Sequence, residues 1–146
     1  MYHLHTEEER IKVFEQARRV TKKDGFILVA YVMNDYSIIE YCFKKNKIKE
    51  CLKNGSVTED FKTVSSEKEL YSYLRLDDIN ELNKKAGLER IKIIAADGPS
   101  DYMRRELNAM DEETFEFFVK YQLANAERIE LLGASSHTVD VLKNTK

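Results

Sequence analysis

The sequence is poor in the residues that interrupt a folded chain, and it contains no tryptophan. Its 146 residues include one proline and five isolated glycines, and no stretch rich in proline, serine or glycine marks a linker. This composition predicts a single domain over residues 1–146, a length that can bury a core.

Cysteine is also scarce, with only Cys42 and Cys51 in the chain. They are nine residues apart in one predicted helix, where a disulfide cannot join them, so we expect reduced thiols inside a core. Cysteine and histidine show no zinc spacing, and no metal is predicted. With no signal peptide and no apolar run of membrane-spanning length, we expect a cytoplasmic protein without a membrane partner.

Neither sign of charge dominates, because 24 lysines and arginines nearly balance 26 aspartates and glutamates, for a formal net charge of −2. This balance argues against a nucleic-acid partner. The basic run at residues 44–49, KKNKIK, has apolar neighbours at helical spacing. We interpret it as the solvated face of a helix, the alternative being a nucleic-acid patch.

The chain is organised around residues 17–32, which read ARRVTKKDGFILVAYV. They predict the end of a helix, a turn that ends at Gly25, and a strand over residues 26–32. This strand shows no polar alternation, which is typical of a parallel sheet covered on both faces. The predicted fold class is therefore α/β.

Other elements follow from periodicity and from turn residues. Thr6 and Glu9 form a capping box, which predicts that the first helix begins there. We predict further helices over residues 37–52, 76–86, 100–109 and 111–128, strands over residues 88–96 and 137–142, and mostly loop over residues 56–73.

Spacing alone predicts no catalytic site, because GxSxG, HExxH, phosphate-loop and GxGxxG motifs are all missing. Four segments nevertheless resemble, in order, the C-terminal half of bacterial class I S-adenosylmethionine-dependent methyltransferases: MYHLHTEEER, EQARRVTKKDGFILVAYV, KKAGLERIKIIAADG and NAERIELLGASSHTVDVLKN. The resemblance implies the last three strands of a Rossmann-like sheet with packed helices, the final strand being antiparallel. It also implies an enzyme that methylates a small molecule.

The family's glycine-rich turn and its acidic ribose-binding residue have no counterpart in this sequence. S-adenosylmethionine is therefore expected as the cofactor of the complete enzyme, but not as a ligand of this chain, and its binding residues stay unassigned. The expected function is that of an incomplete C-terminal fragment, inactive alone. The alternative is a non-catalytic binding or interaction module that retains part of the fold.

The resemblance implies a substrate-side mouth where the strand at residues 26–32 meets the start of the last strand. His137 is the candidate catalytic residue there, as a general base for an acceptor that must lose a proton. The candidate substrate-binding residues are Tyr2, His3, Tyr31, Asn34, Tyr36, Ser135 and Ser136. Structural alternatives remain open: core packing for Tyr31, a turn for Asn34, a backbone hydrogen bond for His137, and a frayed chain end for His3.

The absence of the family's first strands leaves the apolar strand at residues 26–32 without a neighbour on one side. Exposed strand edges pair with other chains. We therefore expect a homodimer in which two copies of this strand, Phe26 to Val32, lie antiparallel across a two-fold axis. The alternative partner is the missing N-terminal half.

Overall fold

The computed structural model describes residues 1–145 and has an α/β architecture. Its strands are β1 (Phe26–Met33), β2 (Tyr73–Leu74), β3 (Glu89–Ala95) and β4 (His137–Lys143). Its α-helices are α1 (Glu7–Val20), α2 (Asn34–Ser37), α3 (Ile48–Asn54), α4 (Leu76–Ala86), α5 (Arg104–Leu107) and α6 (Glu112–Asn125). A π-helix follows α2 at Ile38–Phe43, and a 3₁₀ helix precedes β4 at Ile129–Ala134.

The strands form one mixed sheet in the order β2-β1-β4-β3. β4 runs antiparallel to both β1 and β3, which agrees with the expected direction of the last strand. The sheet has four strands rather than the predicted three, because β2 pairs in parallel with the end of β1 at Val32 and Met33. Sequence reasoning treated Tyr73 as loop, since a two-residue strand leaves no periodic signal.

The prediction that β1 is covered on both faces is wrong for its first half. Ile27 and Val29 are buried, but the side chains that alternate with them are not: Phe26 is 63% and Leu28 is 68% exposed. The covered face lies against α1 and α4, which supply Phe14 and other apolar side chains. Only one face of this part of β1 is buried because α1 and α4 pack on that face alone. The apolar run FILVAYV does not reveal which face the helices cover.

One core joins these helices to the sheet. Its buried members are Phe14, Ile27, Val29, Tyr31, Met33, Leu74, Ile79, Leu82, Ala86, Leu88 and Leu142. The capping box of α1 is confirmed, since the Thr6 side chain accepts the Glu9 N–H and the Glu9 carboxylate accepts the Thr6 N–H. Gly87 ends α4 with a positive φ of 62°, as its position after Ala86 predicts.

The single helix predicted over residues 37–52 is interrupted. Asn46 adopts a positive φ of 54°, and the N–H groups of Asn46 and Lys47 donate to the carbonyls of Phe43 and Cys42. This pair of bonds ends a helix in the manner of a Schellman motif. The chain then starts α3 at Ile48. The prediction over residues 100–109 is likewise too long, because only Arg104–Leu107 is α-helical there.

The interruption changes the relation between the two cysteines. Cys42 and Cys51 are free and buried, as predicted, but they belong to two separate helical segments that share a small core with Ile38 and Val57. Burial, together with a hydrogen bond to Cys51, raises the pKa of the Cys42 thiol to about 11. The Cys42 thiol is therefore protonated at neutral pH.

Among residues 1–145, none of the helices combines the length and the apolar character that crossing a bilayer requires.

Candidate functional site

The end of β1 and the end of β3 lie at the same edge of the sheet as the start of β4. The register sets this arrangement, because Val32 is opposite His137 and Ala95 is opposite Thr138. Side chains that follow β1 and β3 therefore meet those at the start of β4. Ligands of open α/β sheets bind at this edge, beyond the carboxyl ends of the parallel strands. We call the group formed by Tyr2, Asp97, Asp101, Ser136 and His137 the His137 mouth.

Asp97 holds His137 through two contacts to one carboxylate oxygen. Oδ2 of Asp97 accepts the backbone N–H of His137 at 2.7 Å and lies 2.7 Å from its Nδ1. A carboxylate accepts hydrogen bonds, so the neutral imidazole carries its proton on Nδ1 and a lone pair on Nε2. The His137 side chain is 47% exposed. An exposed, fixed Nε2 can accept a proton from a ligand.

Ser136 lies between two carboxylates. Its Oγ is 2.5 Å from Oδ2 of Asp97 and 2.5 Å from Oδ2 of Asp101. Hydrogen bonding from Ser136, followed by the contact with Arg104, lowers the pKa of Asp101. Ser136 Oγ is 3.1 Å from His137 Nδ1, the same nitrogen that Asp97 contacts. In a nucleophilic triad serine faces Nε2 instead, so this is not such a triad.

Ser135 is buried, and its hydroxyl group binds only backbone atoms among the described residues. Its Oγ accepts the N–H groups of Asp97 (3.1 Å) and Gly98 (3.0 Å) and donates to the carbonyl of His137 (2.5 Å). Ser135 thereby joins the turn after β3 to the start of β4. Its position supports Asp97 and His137 rather than offering a free hydroxyl to a ligand.

Aromatic rings surround the first residues of the chain. The Tyr2 ring centroid is 4.7 Å from that of His3, 5.8 Å from that of Tyr71 and 6.1 Å from that of His137. The structure thus places Tyr2 beside His137, while His3 packs on Tyr2 and Tyr71, so the N-terminal segment is packed rather than frayed. Sequence reasoning missed Tyr71, because it lies in an aperiodic segment.

Tyr36 packs on Tyr102, with ring centroids 5.3 Å apart. Burial raises the pKa of Tyr36, and burial raises the pKa of Tyr102 to about 12. The electrostatic neighbours of both phenols include Asp101, a member of the mouth. Neither Tyr102 nor Asp101 was predicted as a site residue from the sequence.

Asn34 and Tyr31 are buried away from the surface of the mouth. Asn34 donates from Nδ2 to the Phe61 carbonyl at 3.0 Å, and its Oδ1 accepts the Thr63 N–H at 2.9 Å. It therefore holds the segment between α3 and β2. Tyr31 belongs to the main core, where burial raises its pKa. These contacts favour core packing for Tyr31, and they give Asn34 a structural role that differs from the turn considered for it.

A concave feature lies outside the mouth. A cavity of about 280 Å³ is lined by Ser37, Tyr41, Cys42, Cys51, Ser56, Val57, Thr63, Glu69 and Tyr73. It sits between the interrupted helix and the segment before β2. Cavities of this size approach the lower limit for small-molecule sites.

The turn after β3 is closed by protein groups. Ser135 accepts the backbone N–H groups of both Asp97 and Gly98, so neither is available to a ligand. A Cβ placed on Gly98 would lie 1.9 Å from Oε1 of Gln122, so that side chain fills the space beside the turn. The turn after β3 is therefore packed by protein groups.

Three potential metal ligands meet in the mouth, where sequence reasoning predicted no metal. Ligand atoms of Asp97, Asp101 and His137 all lie within 4.8 Å of one another. Carboxylates and imidazole are ligands for divalent ions. In this structure the cluster is held by hydrogen bonds among its own members and Ser136.

Comparison of the sequence with protein-family models and with curated proteins finds no match. Membership of the methyltransferase family therefore stays a prediction that rests on the resemblance of the four segments.

Proposed function

We propose that this chain forms the acceptor-binding side of an S-adenosylmethionine-dependent methyltransferase that acts on a small molecule, and that another segment or chain binds the cofactor. The observation that carries the proposal is the strand order β1-β4-β3, with β4 antiparallel between two parallel strands. The resemblance implies an antiparallel final strand. The fold alone does not decide function, so the proposal also depends on the mouth.

Within this proposal His137 is the general base. Asp97 orients its ring and leaves Nε2 free to take a proton from the acceptor. The Tyr2 ring lies edge-on to the His137 ring, with the centroids 6.1 Å apart. The Oγ of Ser136 lies 2.5 Å from a carboxylate oxygen of Asp97 and 2.5 Å from one of Asp101. These residues bind, orient and deprotonate an acceptor, and methyl transfer itself requires the cofactor.

The alternative function is a non-catalytic binding module that retains part of the fold. The observation that favours it is the packed turn after β3, where Ser135 binds the N–H groups of Asp97 and Gly98 and Gln122 fills the space beside Gly98. Under this alternative the mouth binds a ligand and no methyl group is transferred.

Transfer assays distinguish the two functions. The transcript is first sequenced upstream of the Met1 codon. Either the longer protein that it encodes or a complex that co-purifies with this chain is then assayed. The assay supplies radiolabelled S-adenosylmethionine and a small-molecule extract. We expect methylated product, and we expect His137→Ala and Tyr36→Phe to reduce turnover more than stability. Asp77→Asn, on the exposed side of α4, is the matched control. Complete lack of transfer by the longer protein or complex would favour the binding module.

The chain also carries a surface for a second copy, and we propose a homodimer through the outer edge of β1. Among the described residues, β2 covers this edge at Val32 and Met33, and the Met1 amine binds the Ala30 carbonyl beside them. The exposed side chains of Phe26 and Leu28 lie beside the uncovered part. Apolar strand edges of this kind pair with other chains. The N-terminal half of a longer protein is the competing partner for the same edge.

A further inference from the structure

We propose that a cavity between α1 and α4 binds a small molecule with one carboxylate group, and that Arg10 pairs with this carboxylate. The cavity has a volume of about 260 Å³ and is lined by residues of α1, β2, α4 and the segment at residues 62–65. No residue of the His137 mouth lines it, so the inference does not depend on the proposed function.

The first supporting feature is a buried guanidinium group. Arg10 lines the cavity and is 6% exposed, although arginine is seldom buried without a paired carboxylate. Within residues 1–145 its hydrogen bonds go to neutral oxygens, since Nη2 donates to the Leu4 carbonyl at 2.7 Å and to Oγ of Ser72 at 3.1 Å. Its Nε is buried without a partner. Burial lowers the pKa of Arg10, as expected for a cation that is removed from water.

The second feature is that the carboxylates around Arg10 bind other groups. Its electrostatic neighbours include three carboxylates, those of Glu7, Glu9 and Asp78. Glu7 accepts from Nζ of Lys85 at 2.7 Å, and Asp78 accepts from Nζ of Lys62 at 2.5 Å. The Glu9 carboxylate belongs to the capping box of α1. Within the described part of the chain, the charge of Arg10 is therefore left without a counter-ion, which is costly for a buried group.

The third feature is the charge that remains in the cavity. Once Glu7 and Asp78 are neutralised by their lysines, Arg10 is the buried cation and Glu81 is an exposed carboxylate on the cavity wall. Repulsion from Glu81 acts more strongly on a phosphate dianion than on a singly charged carboxylate. The guanidinium group also matches the carboxylate geometry, because it is planar and donates directed hydrogen bonds.

The rest of the wall suits a short-chain acid. Ser65 lines the cavity, and its hydroxyl group can donate to the second oxygen of the ligand. Leu74 and Leu82 supply apolar surface for the carbon chain. Pockets for drug-sized ligands begin at about 300 Å³, so this cavity accommodates a smaller molecule.

Nuclear magnetic resonance titration of the ¹⁵N-labelled 146-residue chain tests the inference. The signals to follow are the Nε–H of Arg10, assigned by its loss in Arg10→Lys, and the backbone amides of residues 63–65. The ligands are butyrate, butanol, butylammonium and inorganic phosphate, at an ionic strength held constant with sodium chloride. We expect saturable shifts with butyrate and at least about tenfold weaker binding of the other three, because a hydrogen bond to a charged group contributes roughly that factor.

Two variants separate the roles of Arg10 and Ser65. Arg10→Gln retains N–H donors without the charge and should weaken butyrate binding at least about tenfold. Ser65→Ala leaves Arg10 in place and should weaken binding roughly threefold to tenfold. Arg105→Gln is the matched control, because Arg105 is exposed on α5 and should not affect the cavity. Amide spectra verify the folding of each variant, and if Arg10→Gln does not fold, the ligand series and Ser65→Ala decide the question.

The opposite results would overturn the inference. Without a saturable shift on addition of butyrate, Arg10 would serve only to hold Leu4 and Ser72. Equal binding of butyrate and butanol, or unaltered binding by a folded Arg10→Gln variant, would also contradict it. Tighter binding of phosphate than of butyrate would assign the cavity to a phosphate ligand instead.

Discussion

Nδ1 of His137 lies 2.7 Å from Oδ2 of Asp97, and the same oxygen accepts the backbone N–H of His137. This double contact fixes the ring relative to the start of β4. It depends in turn on Ser135, whose hydroxyl group binds the N–H of Asp97 and the carbonyl of His137. The orientation of a single imidazole is thus set by two loops that are distant in sequence.

The first prediction concerns the tautomer of His137. Because Asp97 accepts from Nδ1, the neutral ring should be protonated there and unprotonated at Nε2. Long-range ¹⁵N–¹H correlation spectra should show one nitrogen of each kind, and Asp97→Asn should produce a mixture of tautomers. Spectra of Asp77→Asn serve as the control. Nε2 protonation in the unsubstituted protein would contradict the proposed role of His137 as a base.

The second prediction concerns a buried ion pair on the covered face of the sheet. Asp140 is fully buried. Its carboxylate accepts hydrogen bonds from Nε of Arg90 at 2.7 Å, from Nη2 of Arg90 at 2.8 Å and from Nδ2 of Asn83 at 2.7 Å. Arg90→Ala leaves this carboxylate buried without its cation and should destabilise the protein by about 3 kcal/mol. Urea unfolding measures the loss.

Lys92→Ala is the control for Arg90, because Lys92 is on the same strand and pairs with Glu127 on the surface. Exposed pairs of this type contribute less than about 1 kcal/mol. Equal destabilisation by both substitutions would show that the buried pair is no more important than a surface one.

The third prediction concerns the residue that interrupts the helix after β1. Asn46 has a left-handed backbone with φ of 54°, which costs a β-branched residue roughly 1–2 kcal/mol. Asn46→Val should destabilise the protein by about that amount, and Asn46→Gly should not. Thermal unfolding compares the two. Equal stability of the valine and glycine variants would contradict a left-handed backbone conformation at Asn46.

The fourth prediction concerns the homodimer. The Ala30 carbonyl accepts the Met1 amine at 3.1 Å on the outer side of β1, so the backbone groups of Leu28, two residues away, face the same edge. Those of Val29 face β4. A proline at Val29 would therefore break the β1–β4 ladder and leave the outer edge unchanged.

Leu28→Lys is the appropriate variant, because Leu28 is 68% exposed and a lysine there does not enter the core. Light scattering at micromolar concentration should show a dimer for the unsubstituted chain and a monomer for Leu28→Lys. Leu123→Lys, at a 74% exposed position of α6, should remain dimeric. A monomeric unsubstituted chain would contradict the predicted dimer.

The fifth prediction is a pH dependence at Asp101. Its pKa lies below the ordinary 3.8, chiefly because Ser136 donates to it and secondarily through Arg104. A lowered folded-state pKa adds stability above the unfolded pKa, and this stability is lost as the pH falls through the folded value. The difference in unfolding free energy between the protein and Asp101→Asn should therefore shrink below about pH 4. Urea unfolding at pH 6 and pH 3 tests this, and an equal difference at both would contradict it.

Short sequence patterns were sufficient to predict the helix ends that are held by hydrogen bonds between nearby residues. The capping box of Thr6 and Glu9 and the glycine at position 87 predicted where α1 begins and α4 ends, because the hydrogen bonds involved span three to five residues. Two predicted strands, over residues 88–96 and 137–142, also correspond to β3 and β4. The α/β class follows from these elements.

The tertiary structure decided which faces are covered and which side chains meet. Phe26 and Leu28 have the same apolar character as Ile27 and Val29. Ile27 and Val29 are buried because α1 and α4 pack on their face of the sheet, and Phe26 and Leu28 are exposed on the other face. Asp97 and His137 are 40 residues apart, and no local pattern connects them. They meet because β4 runs antiparallel between β1 and β3, so that its first residue reaches the edge where the other two strands end.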